Sequence, residues 1–339
     1  MYELHEVNFS SGPDWDAEIA RFDLRHVYHR AAWLDFIEQT QPVTRRIYGL
    51  YEADELIGYL PGFVLRKGPV RIFGSPFPGW NTAYMGPVVN STVDSAELFR
   101  ALAATMKRDR FAHAEIQHPA LDCTGAPAAG FRPYSSQTQI ADVGATPEEI
   151  LQSFGKGARY DVRMALRRGL EAVVTTDPAF VDVYYDQLRD VFGKYGTEPT
   201  YSRQRVRALW ENLMPTGTII CTKIMKDDRC LATGIDLVGN GWLHAFGSAS
   251  FQNYSDLKCC PNDLCRYHAF LQASRRGLSK YDMTGYRAYK RKFGAQVVDI
   301  PVQIRSNALL RAGRELFRRL HMAGMRRRGR VTPRGGEGA

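Results

Sequence analysis

The chain has 339 residues, 44% of them hydrophobic, which is enough for two ordinary domains with packed cores. Its net charge of +9 is unevenly placed: ten arginines and two glutamates from 305 to 339 give +8, leaving +1 for residues 1–304, so the basic balance is no argument that the body binds nucleic acid. No apolar run approaches the roughly 18 residues of a membrane span, and the acidic start Met1-Tyr-Glu-Leu-His-Glu lacks a signal-peptide pattern, so a cytoplasmic protein is expected.

The first periodic segment is helical, Tyr28 to Glu38 around Trp33. Strands follow at Arg46 to Glu52 and Leu56 to Leu65, joined by a turn at Ala53-Asp54. After the stretch Ser75-Pro-Phe-Pro-Gly-Trp80 come Trp80, Asn81 and Tyr84, readable as a sugar-stacking platform or as the closing edge of a core. Asp94 to Arg110 is an amphipathic helix through Leu98, Leu102 and Met106, and it leads to a strand at His113 to Gln117.

Thr146-Pro-Glu-Glu149 is a capping box with proline at the first helical position. Gly155 and Gly157 interrupt that helix, and a second, Ala158 to Arg168, ends at Gly169. Arg159, Arg163 and Arg167 stand four apart in it, either a stripe that meets a donor's phosphates or plain solvated charge. Asp177-Pro178 then caps a helix with Val181, Tyr184 and Leu188 at core spacing.

The early plan now repeats. Ser202 to Leu213 is a helix around Trp210, and strands follow at Thr218 to Met225 and Cys230 to Val238. Gly239-Asn240-Gly241 turns into a further strand at Trp242 to Ser248. Adjacent Cys259 and Cys260 are poor zinc geometry, and no metal is expected. The helix Asn262 to Gly277 leads to a strand at Lys280 to Met283. Helix, antiparallel meander, helix and strand thus occur twice. This predicts an α+β protein of two domains, residues 1–145 and 146–305, each a mixed, mainly antiparallel sheet flanked by helices. Residues 306–339 read as a basic amphipathic helix and an Arg/Gly-rich disordered tail.

Between the strand at Tyr281 and a last strand, Val297 to Ile304, lies Tyr281-Asp-Met-Thr-Gly-Tyr-Arg-Ala-Tyr-Lys-Arg-Lys-Phe-Gly294. Cations clamped between two strands build an oxyanion site where one of them is held rigidly; the plainer alternative is charge in water.

Several of these segments together resemble the FemAB family. They are the tandem halves, Ser75-Pro-Phe-Pro-Gly-Trp80 with Gly86-Pro87-Val88, the basic helix Tyr160 to Gly169, Phe246-Gly-Ser248, Asn262-x-Leu264, Tyr281-Asp282, and Tyr289-Lys290-x-x-Phe293-Gly294. The likeness covers most of residues 25–307 and implies two GNAT-like domains. Members of that family transfer an amino acid from aminoacyl-tRNA to an amino group of peptidoglycan precursors; relatives in polysaccharide gene clusters are described as acetyltransferases. The family's catalytic lysine falls on Lys290, where a fixed ammonium suits the oxyanion that forms when an amine attacks an ester or thioester. Asp282, Tyr286 or His244 is then able to assist deprotonation of the amine, although Asp282 is as readily a partner of Arg287 or a turn cap.

The resemblance also implies an acceptor groove, for which Trp80, Asn81, Tyr84, Tyr201, His244, Ser248, Tyr286 and Tyr289 are the candidates, and a donor surface of Arg159, Arg163, Arg167, Arg291 and Lys292. Two cations that bind a diphosphate in the peptidoglycan enzymes are missing: those positions read Trp33-Leu-Asp35 and Gly196-Thr-Glu-Pro199-Thr-Tyr201. The expected acceptor is therefore an amine-bearing saccharide or peptide other than a nucleotide-linked muropeptide. No tightly bound cofactor is expected, the donor being aminoacyl-tRNA or acyl-CoA. The loop Ala249 to Pro261, where a CoA-binding GNAT domain has glycines, contains none. The basic tail is read as touching tRNA or an anionic membrane face. An acetyl-CoA-dependent N-acetyltransferase of polysaccharide synthesis and a non-catalytic saccharide-binding protein are the alternatives.

Overall fold

The computed structural model describes residues 1–8, 13–251, 259–308 and 310; the expected basic helix and tail beyond 310 and the centre of the 249–261 loop lie outside these. The first half contains β1 (Tyr2–Glu6), α1 (Pro13–Ile19), α2 (Ala31–Thr40), β2 (Thr44–Glu52), β3 (Glu55–Lys67), β4 (Val70–Ser75), β5 (Val88–Val89), α3 (Ser95–Arg108), β6 (His113–Gln117) and β7 (Arg132–Asp142). There follow α4 (Pro147–Ser153), α5 (Lys156–Arg167), β8 (Glu171–Val174), α6 (Phe180–Gly193), α7 (Arg203–Leu213), β9 (Ile219–Lys226), β10 (Arg229–Gly239), β11 (Trp242–Ser250), α8 (Pro261–Arg275), β12 (Lys280–Asp282) and β13 (Gln296–Ser306).

Local chemistry sets the boundaries. Asp94 caps α3 by accepting from the Glu97 amide at 2.8 Å, and the Thr146/Glu149 box caps α4. Gly157, expected with Gly155 to interrupt the helix, lies inside α5, because Gly155 alone takes the N-cap position and its N–H is held by the Lys292 carbonyl at 2.8 Å. Asn240 and Gly241, at φ 50° and 77°, form the tight turn between β10 and β11.

The strands form one mainly antiparallel mixed sheet in the order β1-β2-β3-β4-β6-β13-β7-β12-β11-β10-β9-β8, with β5 on β3. The two halves meet edge to edge. β13 runs antiparallel between β6 of the first half and β7, and β7 pairs in turn with β12. Among the described strands, only β4–β6 and β11–β12 are parallel. Helices α2, α6 and α7 cover the join with a core of Trp33, Phe36, Tyr84, Phe180, Tyr184 and Leu209. Separate apolar clusters lie under α3 and between α5 and α8. No described helix is long and apolar enough to cross a membrane.

Candidate active site

The strands β11 and β12 pair for only three residues, Trp242 with Lys280, Leu243 with Tyr281 and His244 with Asp282, and then part. Each side of the opening has a backbone irregularity. On β11 the register slips: Ile235 of β10 faces Gly247 and Asp236 faces Ala245, so Phe246 is an extra residue outside the ladder. After β12, Thr284 and Gly285 take left-handed conformations, φ 55° and 73°. A β-branched residue there is strained and must be held by its surroundings.

Lys290 holds it. Its buried ammonium donates to the carbonyls of Met283 (2.7 Å), Thr284 (2.6 Å) and Gly285 (2.8 Å). An ammonium has three protons, so all are committed to the turn. Burial, followed by the Arg266 charge, brings its pKa down to about 8, with Asp282 opposing. The expectation of a lysine aimed at a substrate oxyanion is thus corrected in one respect: as placed, Lys290 shapes the wall of the opening and has no spare donor.

Asp282, fully buried, lies behind the turn. It accepts from the Tyr84 hydroxyl (2.9 Å), the Thr138 hydroxyl (2.5 Å) and the Thr284 amide (2.7 Å). His244 Nδ1 lies 3.3 Å from the Tyr84 hydroxyl. Because the phenol proton goes to Asp282, the imidazole is the donor in that contact. Tyr84, His244 and Asp282 have no exposed surface, so Tyr84 is no part of a stacking platform with Trp80 and the three do not line a surface groove. Burial holds His244 neutral, its pKa lowered to about 4.

A second buried chain, absent from the sequence reading, runs beneath β11. Arg266 of α8 donates to the Tyr281 hydroxyl, which donates to Asp236 at 2.6 Å, and the same guanidinium reaches exposed Ser248 at 3.5 Å. No periodic signal reveals it, because a polar residue on a helix reads as surface until its partners are known.

The remaining candidates separate into two neighbourhoods. Tyr286 and Tyr289 are exposed on the segment that leaves the turn, with Arg291 stacked over Tyr286. Lys292 bridges Asp263 of α8 and Asp161 of α5, so it fastens helices together rather than facing a donor. Arg163 and Arg167 are exposed and make no ion pair among the described residues, while half-buried Arg159 reaches the Gln152 carbonyl at 3.4 Å. On the other side of β11, half-buried Trp80 packs on Phe77, and Asn81 sits in a left-handed turn at φ 61°. The Tyr201 hydroxyl bonds that of Tyr184 at 2.7 Å beside Gly247, where a Cβ would collide with the Tyr184 hydroxyl.

In that second neighbourhood stands Arg205, which sequence reasoning also missed. It is 9% exposed, donates to the Trp80 carbonyl at 2.6 Å and lies over the Phe36 ring. Its Nε has no partner, and no carboxylate among the described residues pairs with it. Burial lowers its pKa to about 10. Asp35 and Glu38, by contrast, are both engaged by Arg45.

The helix start that a CoA-binding GNAT domain offers to a pyrophosphate is altered here. Pro261 occupies the first turn of α8 without an N–H, and the Asp263 carboxylate sits in the same turn, paired to Lys292.

Residues 156–291 match the family model described as an acetyltransferase (GNAT) domain. With the splayed parallel pair and the flanked mixed sheet, this defines a GNAT-type fold. The arrangement of the whole chain is shared with solved structures. It is similar to the crystal structure of FemX at TM-score 0.68 and 12% identity, over 88% of this chain and 96% of that one. A conserved protein of unknown function from Bacteroides thetaiotaomicron is similar at TM-score 0.59 and 10% identity, over 89% and 99% of the two chains. L-PGS from Bacillus licheniformis is similar at 0.57 and 12%, over 93% and 98%. No curated protein matches the sequence.

Proposed function

We propose that the protein is an N-acyltransferase that moves an aminoacyl group from aminoacyl-tRNA to an amine of a cell-envelope saccharide or peptide. The observation that carries this reading is the opening between β11 and β12, with the bulged Phe246 on one wall and the Lys290-clamped turn on the other. A neutral acceptor amine attacks the ester carbonyl, the C–N bond forms, and negative charge collects on the carbonyl oxygen. The ester C–O bond then breaks, and the tRNA hydroxyl leaves with a proton originating from the amine. A bulge releases main-chain groups from the ladder, so the backbone N–H at Phe246 is the candidate oxyanion donor. Lys290 is a positioning residue that fixes the facing wall. Juxtaposition in a rigid cleft supplies much of the remaining acceleration.

The proline and carboxylate at the start of α8 favour aminoacyl-tRNA over acyl-CoA, and the exposed stripe of Arg163 and Arg167 on α5 suits RNA phosphates. Arg205, buried without a carboxylate next to Trp80 and Tyr201, marks the acceptor side.

The test is to incubate the protein with radiolabelled charged tRNA or acetyl-CoA and a panel of amino sugars and peptides. Label reaching an amine in an RNase-sensitive manner supports the reading. Transfer from acetyl-CoA that survives RNase replaces the donor, and no transfer from either, with saccharide binding retained, replaces the enzyme by a binding protein.

A further inference from the structure

β7 is an interior strand of the sheet, yet most of one side of it is a free edge. β13 pairs with it from Arg132 to Ile140, whereas β12 on the other side pairs only with Ile140, Ala141 and Asp142. Met283 adds one bond, its N–H reaching the Gln139 carbonyl at 2.8 Å, and the chain then leaves the ladder through the left-handed Thr284–Gly285 turn. From Gln139 back to Arg132, β7 has no strand neighbour on the β12 side among the described residues. Because β12 is the strand that separates β7 from β11, its early end makes this stretch of β7 the far wall of the opening.

Hydrogen-bond parity fixes what the edge offers. In an antiparallel ladder successive residues direct their main-chain groups to alternate sides. The Gln139 carbonyl points toward β12, so Pro133, Ser135 and Gln137 point the same way, away from β13. Pro133 fits this phase, since a strand proline is tolerated where its missing N–H faces outward. Ser135 and Gln137 each present an N–H and a C=O without a partner among the described residues, the two sets being about 7 Å apart. Their side chains leave the edge uncovered: Ser135 Oγ and Gln137 Nε2 both turn back to Asp299 of β13, at 3.2 and 3.0 Å.

The stretch is open on its faces as well. Arg132 to Ser135 and Gln137 are exposed, and Tyr134 is 63% exposed with buried Val302 as its cross-strand neighbour on the β13 side. Natural sheets blunt free edges with charges, bulges or a covering segment. Residues 133–139 carry no charge, and their ladder with β13 has no bulge. Apart from Pro133, the edge is left able to pair.

We propose that this edge binds the acceptor as an extended peptide, added to β7 along the line that β12 vacates. The proposal rests on the acyl-transfer reading and narrows its acceptor from saccharide or peptide to peptide. Paired N–H and C=O groups that recur at every second residue are complemented by another extended backbone, which here would continue the ladder that β12 begins. A saccharide calls for an exposed aromatic platform, and buried Tyr84 with half-buried Trp80 does not supply one. A second folded copy would have to bring a strand edge into the middle of the sheet, between β7 and β11; a single extended segment meets no such demand. Tyr134 offers that segment a cross-strand side-chain contact.

The test measures binding without a donor, which separates it from turnover. The probe is the blocked peptide acetyl-Thr-Val-Thr-Lys-Thr-Val-Thr-amide, added to the full-length protein and followed by calorimetry and amide hydrogen exchange. Saturable binding is expected, with exchange slowed at Ser135 and Gln137. Ser135→Pro removes an N–H that faces away from the β13 ladder and should weaken binding about fivefold, equivalent to roughly 1 kcal/mol. Two forms of the probe N-methylated at alternate residues, in opposite phases, leave the protein unaltered; one should lose binding and the other keep it. Equal binding of the two forms, or no saturable binding of the parent peptide, overturns the proposal. So does a concentration-dependent dimer that Ser135→Pro dissociates, which would give the edge to a second copy. Peptide binding with no transfer to its lysine from charged tRNA or acetyl-CoA would remove the acyl-transfer reading and leave the peptide edge standing. Transfer to a saccharide without peptide binding would do the reverse.

Discussion

Two buried polar regions lie within the same sheet and differ in how completely their hydrogen bonds are made. Around β12, Asp282 has three donors, Lys290 has three acceptors, and Arg266, Tyr281 and Asp236 form a continuous chain. Thr284 Oγ1, Gln139 Nε2 and His244 Nε2 are unpartnered even there, but across the join of the halves both ring nitrogens of His26, Nε2 of His29 and of His118, and Arg205 Nε are all unpartnered. A completed network specifies geometry, because any displacement breaks several bonds together. An incomplete one leaves capacity for water, protons or ligand. On this comparison the catalytic-motif lysine belongs to the frame, and the groups able to bind something lie elsewhere.

The largest expected effect comes from the incomplete region. Burial lowers the pKa of His29 to about 3 and of His118 and His244 to about 4, and it holds His26 well below its ordinary 6.5. As pH falls below 6.5 the unfolded chain binds protons that the folded chain refuses, so stability declines through the window from 6.5 to about 4. Each histidine contributes on the order of 1.4 kcal/mol per pH unit within it. Urea unfolding between pH 7 and 4.5 should therefore show a steep loss of stability, shallower in His118→Gln. A flat profile would mean that these rings are already hydrated or charged, and the contrast between the regions would fail.

Next in size is Lys290→Ala. Removing one partner from a buried charged network typically costs about 3–5 kcal/mol, and here it would leave three carbonyls and a strained Thr284 unsupported. The midpoint of denaturation should fall and transfer activity should fall with it. If the variant kept wild-type stability but lost turnover, Lys290 would be acting on the substrate, and the lysine would move out of the frame.

Arg205→Met probes the opposite case. Replacing an unpaired buried cation by an apolar residue of similar length should change stability by less than about 1 kcal/mol or increase it. If Arg205 meets an anionic part of the acceptor, KM should rise about tenfold with kcat little altered, as expected for the loss of uniform binding. A matching fall in stability would place Arg205 among the structural groups.

The same contrast explains what the sequence disclosed. Elements with a strong period or a cap were visible: α3 through Leu98, Leu102 and Met106, α4 through Thr146 and Glu149, the β9–β10–β11 meander through its turns, and the position of the Lys290 segment between two strands. Strands β4 and β8, six and four residues long, escaped because so short a run shows little period even between turn signals such as Gly68-Pro69 and Ser75-Pro76; β7 alternates poorly, with Tyr134 exposed and Thr138 buried. The insertion of β13 between β6 and β7 is a long-range pairing that no local pattern encodes. At the site, the motif located Lys290 and Asp282, but only tertiary contacts reveal that the former's protons face carbonyls and that the latter is closed off. Arg205 and Arg266 read as ordinary surface cations on helices, and their burial is decided by residues far away in sequence.

The smallest effects belong to the exposed stripe of α5, which lies outside both networks. Arg163→Gln and Arg167→Gln remove solvated charges without ion-pair partners among the described residues, so each should alter stability by less than about 0.5 kcal/mol. Their consequence is expected in the salt dependence of tRNA-dependent transfer. A side chain that neutralises one RNA phosphate contributes roughly 0.7 to 0.9 to the slope of log binding against log salt, so each substitution should reduce that slope by nearly one while weakening transfer several-fold at low salt. Acceptor KM should not move, since the stripe and the Arg205 neighbourhood lie on different elements. Were the slope unchanged in the double variant, the arginines would be solvated charge alone, and the donor would have to be held by the Tyr286–Arg291 segment instead.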